Sequence, residues 1–278
     1  MRIHHLNCGR HAPVGGALFD GRSRGVLADL CTHCLLIETD RGLVLVDTGY
    51  GLQDVTEQPH RTLPYLWPFV LNIRLSEDMT AVRQIEALGY SAKDVKHIVL
   101  THLDFDHSGG LRDFPNARVH LLEREYATAN GRLSGLVAHQ RYRPENWLAV
   151  REWRPYHEGE GDNWNGFVAV RDLDGLPPEI LLVPLAGHTA GHAGVAIDGP
   201  DGWLLHAGDA YLFHGELEAR RAMPVGLALY ERIMAAQPEA AAVNLGRLRR
   251  LRHNNSMSVR IFCSHDSVEF ETFAGNAR

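Results

Sequence analysis

No run of about 18 apolar residues occurs in this chain of 278, so no stretch reads as a membrane-spanning helix. Cysteine is scarce. The four present are Cys8, Cys31, Cys34 and Cys263, and their spacing suggests no disulfide framework, so a reducing compartment is the simpler expectation. Cys31 and Cys34 form a C-x-x-C, but no second pair completes a zinc site. Cys34 opens the apolar run CLLI, and these cysteines are expected to be buried and structural. An excess of positive charge is also missing. Lys and Arg number 28 against 34 Asp and Glu, and the formal net charge of −6 aids solubility and argues against a nucleic-acid surface. The one basic run, Arg247, Arg249, Arg250 and Arg252, alternates with Leu245, Leu248 and Leu251 and reads as the solvated face of a helix. The opening MRIHHLNCGR lacks the apolar stretch of a secretion signal, so the expected location is cytoplasmic.

Histidine, by contrast, is abundant, with 17 residues. Position must decide which of them matter. His4, His5, His11, His33, His60, His139, His157 and His253 have no ligand partner at motif spacing and read as surface or packed residues.

Apolar runs and turn residues predict alternating strands and helices. Cys34 to Thr39 and Leu43 to Val46 flank Asp40-Arg41-Gly42, a hairpin signal. Residues 50–78 carry several prolines and the stretch PYLWPFVL, and read as a long surface loop, either an interface or a pocket wall. Met79 to Leu88 is a helix candidate, with Val82, Ile85 and Leu88 at a three-residue repeat and Gly89 as the stop. Strands are expected at Val95 to Leu100, Arg118 to Leu122, Ile180 to Leu185, Gly194 to Ile197, Trp203 to His206 and Val259 to Cys263, with a helix from about Glu123 to Asn130. Residues 131–167 have weak periodicity and read as an insertion or lid; two helices fill 225–253, with Pro238 between them. With no repeat, low-complexity stretch or linker, residues 1–278 read as a single α/β domain.

The chemistry gathers where these strands end. THLDFDHSGG puts His102, Asp104, Asp106 and His107 within six residues, between a strand and a glycine pair. GHTAGH at 187–192 follows ILLVPL, AGD at 207–209 follows WLLH, and SHD at 264–266 follows VRIFC. Each places a His or Asp just past an apolar strand, where binding sites of sheet proteins collect, and imidazole and carboxylate are ligand types for zinc and similar ions.

These motifs, with VDTG at 46–49, resemble in their order those of the metallo-β-lactamase superfamily over residues 34 to 266. The resemblance implies a four-layer αββα sandwich with a dinuclear site at one edge. It implies that His102, Asp104 and His188 hold the first metal and Asp106, His107 and His265 the second, with Asp209 bridging and Asp47 supporting the site without binding. His192 falls outside that ligand set and is expected to be structural.

Asp104 departs from the family's T-H-x-H-x-D-H-x-G-G, which has a second histidine there. Three ligand carboxylates and a bridging hydroxide balance two divalent cations, where a histidine would leave one positive charge. The expectation is a weaker Lewis acid that accepts iron or manganese more readily, with zinc as the first expectation. The flavodiiron branch has a glutamate at the matching position, but this chain is too short for that branch's flavin domain. The implied function is a metal-dependent hydrolase in which a metal-bridging hydroxide attacks an ester-like carbonyl. The wording THLxFDHSGG, the helical tail before SHD and the length are most similar to the N-acyl-homoserine-lactone lactonases, so a lactone is the expected small-molecule substrate. Thioesters, β-lactams and phosphodiesters, or a non-hydrolytic di-iron protein, are the alternatives. Asp106 and Asp209 are the expected proton relays. Tyr211 lies two residues after Asp209, where those lactonases place a tyrosine three residues on; catalytic assistance and packing both remain open for it. The stretch Tyr65 to Leu71 and Trp147, Trp153 and Trp164 would line an acyl pocket or form a homodimer interface.

Overall fold

A computed structural model describes residues 1–56, 63–131, 136–159, 161–170, 172–218, 223–255 and 258–275. The first seven strands are β1 (Arg2–His11), β2 (Leu30–Thr39), β3 (Gly42–Val46), β4 (Ile73–Arg74), β5 (Val95–Val99), β6 (Arg118–Leu122) and β7 (Glu152–Tyr156). They form one sheet in the order β4-β1-β2-β3-β5-β6-β7. β8 (Asp162–Trp164) and β9 (Phe167–Ala169) make a separate ribbon. β10 (Ile180–Pro184), β11 (Ala193–Gly199), β12 (Gly202–His206) and β13 (Val259–Phe262) form the second sheet in chain order.

Side chains alternate along a strand, and that period of two sorts the apolar residues into layers. On β2, Leu35 and Ile37 join Val44, Val46 and Val99 against Leu182, Val195 and Ile197 of the second sheet, which is the core between the sheets. Cys34 and Leu36 point the other way, where Leu45, Ile98 and Val119 pack on Val82 and Ile85 of the helix Ala81–Ala87. The outer face of the second sheet, with Leu181, Val183, Leu205 and Ile261, is covered by Leu248 and Leu251 of the helix Pro238–Asn255. Helix, sheet, sheet and helix therefore stack in four layers, the expected αββα sandwich.

The pairings explain where the loops gather. β3, β5, β6 and β7 are mutually parallel, and β10, β12 and β13 run in one direction with β11 opposed between the first two. The carboxyl ends of β3 and β5 in one sheet, and of β10, β12 and β13 in the other, feed the loops that carry the histidines and aspartates.

Several elements differ from the sequence expectation. β1 was not foreseen: its pairing with β2 shifts register between Asn7 and Arg10, and this breaks the alternation by which a strand is recognised. Within 131–167, β7 is the edge strand paired to β6 and Trp147 lies in the main core, while residues 132–135 and 160 lie outside the described residues. Within 50–78 the chain forms the short helices Leu52–Thr56 and Trp67–Val70; His60 and the rest of 57–62 lie outside the described residues. The helices Val225–Met234 and Pro238–Asn255 break at Pro238 as expected, and the arginine run lies on the second of them. All four cysteines are free and buried. Among the described residues no helix is long and apolar enough to cross a membrane.

Several buried histidines lie away from the strand-end loops. His120 bonds His97 Nδ1 at 2.9 Å through Nε2 and the Tyr156 hydroxyl at 2.8 Å through Nδ1. Burial, then the nearby His97, lowers its pKa from 6.5 to about 3; burial and His206 lower His5 to about 4. The unfolded chain therefore binds more protons below about pH 6.5, so this stability is complete above that value and is lost as pH falls towards 4 and 3. In chelator-treated protein, urea melts at pH 7 and pH 5 should differ by about 1 to 2 kcal/mol per such histidine. Coincident melts would show that these imidazoles are not held neutral.

Candidate metal centre

Five loops meet at one edge of the sandwich, each leaving a strand end: residues 47–49 after β3, 100–110 after β5, 185–192 after β10, 207–209 after β12 and 263–266 after β13. They bring His102, Asp104, Asp106, His107, His188, Asp209 and His265 together, none more than 6% exposed. Asp209 lies centrally. Its Oδ1 is 3.4 Å from His107 Nε2, and its Oδ2 is 3.4 Å from His188 Nε2 and 3.2 Å from His265 Nε2. Asp104 Oδ2 is 3.0 Å from His188 Nε2 and 3.4 Å from His102 Nε2. Asp106 Oδ2 is 3.6 Å from His265 Nε2.

Among the described residues, three triads offer ligand atoms all within 4.8 Å of one another: His102 with Asp104 and His188, His102 with His107 and Asp209, and His11 with Asp106 and His265. The first triad matches the ligand group implied for the first metal. In the second group, His107 Nε2 lies 4.0 Å from Asp106 Oδ1, and His11 stands beside Asp106 and His265.

Surrounding bonds fix which imidazole nitrogen faces inward. Thr101 donates its hydroxyl to Asp47 Oδ2 at 2.8 Å, so its oxygen accepts from His102 Nδ1 at 2.9 Å. His107 Nδ1 donates to the same Asp47 oxygen at 2.9 Å, and His265 Nδ1 donates to the Cys31 carbonyl at 2.8 Å. With Nδ1 committed as donor, each ring turns the lone pair of Nε2 into the cavity. The Nε2 atoms of His107 and His265 lie 3.3 Å apart, and His102 Nε2 is buried without a hydrogen bond. Facing lone pairs, unpartnered buried nitrogen and three carboxylates form a donor set that fits divalent cations.

Other residues brace these loops. Glu125, fully buried, accepts from Leu103 N–H at 3.0 Å and from the Thr189 hydroxyl at 2.6 Å, tying the 100–110 loop to the 185–192 loop. His192 Nε2 accepts from Asp209 N–H at 2.9 Å, so its Nδ1 donates to the Leu185 carbonyl, at 3.1 Å; its role here is structural, as expected. Gly208 has φ +57°, and a Cβ there would meet His192 Nε2 at 2.5 Å, so the turn that delivers Asp209 requires glycine.

The metallo-beta-lactamase superfamily's sequence pattern matches residues 30–243. This chain belongs to that superfamily. A probable metallo-hydrolase of Mycobacterium tuberculosis is 40% identical over 268 residues, covering 96% of this chain and 80% of that one. An N-acyl homoserine lactonase of a Bacillus species is 28% identical over 192 residues, 67% of this chain and 68% of its own. Among solved structures, an N-acyl homoserine lactone hydrolase with N-hexanoyl-L-homoserine at its catalytic metal center superposes with a TM-score of 0.71. It is 23% identical, with 98% of this chain and 95% of the other covered. A dizinc quorum-quenching lactonase superposes with a TM-score of 0.59 at 18% identity, over 95% of this chain and 86% of its own. The chain is thus a metallo-hydrolase of the superfamily, and the folds agree.

The superfamily's motifs account for the ligand cluster but not for its surroundings. Tyr211 is fully buried, and its hydroxyl bonds the two carboxylate oxygens of Glu269 at 2.9 and 3.1 Å, on the outer face of the second sheet. Packing, not assistance at the carbonyl, is the role this geometry supports. Trp147 and Trp164 lie in separate cores and Trp153 packs beside the first, so none of these tryptophans walls an acyl pocket. Of the stretch Tyr65 to Leu71, Tyr65 and Phe69 are exposed, whereas Leu71 lines a small apolar recess with Leu30, Leu212, Leu227, Tyr230, His11 and His265.

His11 and Arg141 escaped the sequence expectation. His11, at the end of β1, bonds the Tyr50 hydroxyl at 2.7 Å and lies 3.8 Å from Asp106 Oδ2. Arg141, 3% exposed, lies with Nε 3.2 Å from Asp104 Oδ1. The charge balance expected from Asp104 alone is therefore incomplete, since a guanidinium stands against that carboxylate.

Burial alone would lower the pKa of His107 and His265, but Asp209 and Asp106 outweigh it and raise both, His107 well above 6.5. A cation entering the site displaces protons held more firmly than on an ordinary histidine. Metal affinity should therefore fall steadily as pH drops from 8 to 6, with proton release on binding measurable by calorimetry in buffers of different ionisation enthalpy. Binding without proton release would contradict the ligand assignment.

Proposed function

We propose that this metallo-hydrolase opens a lactone ring bearing an apolar acyl chain, with two zinc ions held by His102, Asp104, Asp106, His107, His188, Asp209 and His265. The observation that carries the substrate reading is the recess beside His11 and His265, whose Leu30, Leu71, Leu212 and Leu227 supply an apolar wall next to the ligand cluster. The lactone named in the relatives' descriptions is consistent with that chemistry.

Bound divalent cations would supply hydroxide at neutral pH and polarise the ester carbonyl. The protein's own groups do the rest. The recess holds about 10 Å³, room for about one water, so the leucines would part to seat the acyl chain and exclude water from it. Tyr230 lines the same recess. Burial and the charges of Asp106, Asp209 and Asp104 hold its hydroxyl well above the usual phenol pKa, so it remains a donor able to bond a carbonyl oxygen. Asp106 or Asp209 takes the proton released as water attacks the carbonyl carbon and returns it to the alkoxide freed when the ring C–O bond breaks.

A hydrolysis panel of acyl lactones, thioesters, β-lactams and phosphodiesters, run with defined metals, tests the reading. Lactones should be turned over fastest. Preference for another class replaces the substrate assignment, and iron with visible absorption in protein purified without added metal would favour a redox role. Asp209→Ala should abolish turnover and lower metal content measured by elemental analysis; normal turnover would refute the scheme. Tyr230→Phe should lower kcat/KM by about 100- to 1000-fold with metal content unchanged, whereas Tyr211→Phe should leave kcat within about twofold and act on stability instead.

A further inference from the structure

Resting on the metal-site reading above, we propose that Arg141 is a positioning residue that makes Asp104 serve in place of the superfamily's histidine. It holds one carboxylate oxygen so that the other alone faces the metal pocket. The two oxygens of Asp104 have separate surroundings. Oδ2 points among the ligand nitrogens, 3.0 Å from His188 Nε2 and 3.4 Å from His102 Nε2. Oδ1 forms an ion pair with Arg141 Nε at 3.2 Å, without the alignment of a hydrogen bond. A free carboxylate could chelate a cation through both oxygens or rotate between modes. With Oδ1 held by a cation, it offers a single donor, as an imidazole does.

The guanidinium is itself clamped. Its two terminal nitrogens donate to the His188 carbonyl and to the Met234 carbonyl, each at 2.5 Å. Met234 closes the helix Val225–Met234, whose carbonyl end favours a cation. The backbone of Tyr142, the next residue, pairs with Asp104 as an isolated antiparallel bridge, which sets the register that brings Arg141 alongside. Arg141 therefore fixes two ligands of one cation, Asp104 through its carboxylate and His188 through its backbone. At 3% exposure, its nitrogens are turned to Asp104, the His188 carbonyl and the Met234 carbonyl.

Charge makes the pair a unit. Arginine stays protonated, so Asp104 and Arg141 together carry the same net charge as a neutral histidine. The substitution thus leaves the total charge around the cations where the superfamily's usual motif has it. Restoring the histidine alone would strand a buried guanidinium beside three imidazoles and a dication, so Asp104→His should impair the site although it recreates the common motif.

The test is a double-mutant cycle on the full chain: wild type, Arg141→Met, Asp104→His and the double variant. Metal stoichiometry, chelator-competition affinity and the visible spectrum of the cobalt-substituted protein are read alongside turnover. Each single variant should lose about 10- to 100-fold in affinity for one of the two metals, and the double variant should recover most of it with an altered cobalt spectrum. Arg141→Lys, which keeps the charge without the fork, should bind both metals with a broadened cobalt spectrum. Melting curves of metal-free protein separate misfolding from loss of the site, and rescue in the double variant cannot come from misfolding. Unchanged affinity in Arg141→Met, wild-type binding by Asp104→His, or additive losses in the double variant would overturn the proposal. Coupling in metal affinity without lactone turnover would sink the substrate reading and leave this one standing; lactone turnover with no coupling would do the reverse.

Discussion

Four imidazoles and three carboxylates crowded at the edge of a sandwich are stable together only if proton positions are fixed and charge is balanced. Asp47 carries much of the first task. Its two oxygens accept from Thr101 N–H, the Thr101 hydroxyl and His107 Nδ1, and through Thr101 it also sets the proton of His102. Because Nδ1 of these rings is committed, Nε2 faces the cavity, and the site is preorganised before any cation arrives. The cost is a cluster of electron-rich atoms in a dry interior, which favours protons or cations over an empty centre.

The two sheets make that crowding affordable because each contributes only strand ends. The apolar middle of every strand is spent on the cores, so the polar groups collect in loops whose backbones are tied to each other. Glu125 joins two loops, His192 anchors a third, and the glycine at 208 lets the chain turn within reach of it. These braces are buried polar groups with partners, and they tie the loops together without lending a donor to the cluster themselves.

The clustered histidines and aspartates were legible as candidates because each follows an apolar run and sits in a short ordered motif, while their division between two cations came only from the resemblance. The strands were legible as apolar runs, but the four layers came only from the resemblance, because a continuous run such as Cys34 to Ile37 does not say what covers each of its faces. Illegible were the groups whose role depends on long-range register. His11 ends a strand whose alternation is interrupted after Asn7, so nothing local marks it as a neighbour of Asp106. Tyr211 is near Asp209 in sequence, but the turn after the aspartate sends its ring to Glu269 on the far side of the sheet. Arg141 lies in a stretch of weak periodicity, and only the bridge between Tyr142 and Asp104 shows why it is there.

That last contact alters how a departure from a motif should be weighed. A carboxylate in place of an imidazole changes net charge by one, and counting ligands alone predicts a softer demand on the metal and a preference for iron or manganese. The count is taken over too small a volume. A guanidinium 3.2 Å from the same carboxylate lies well inside the distance over which charges in a buried site are felt, about 10 Å even in salt solution. The relevant unit is the ligand with its counter-charge, and for Asp104 that unit is neutral. The field at the site then depends on more than the identity of any one residue facing it, and a residue 37 positions away in a different element contributes to it.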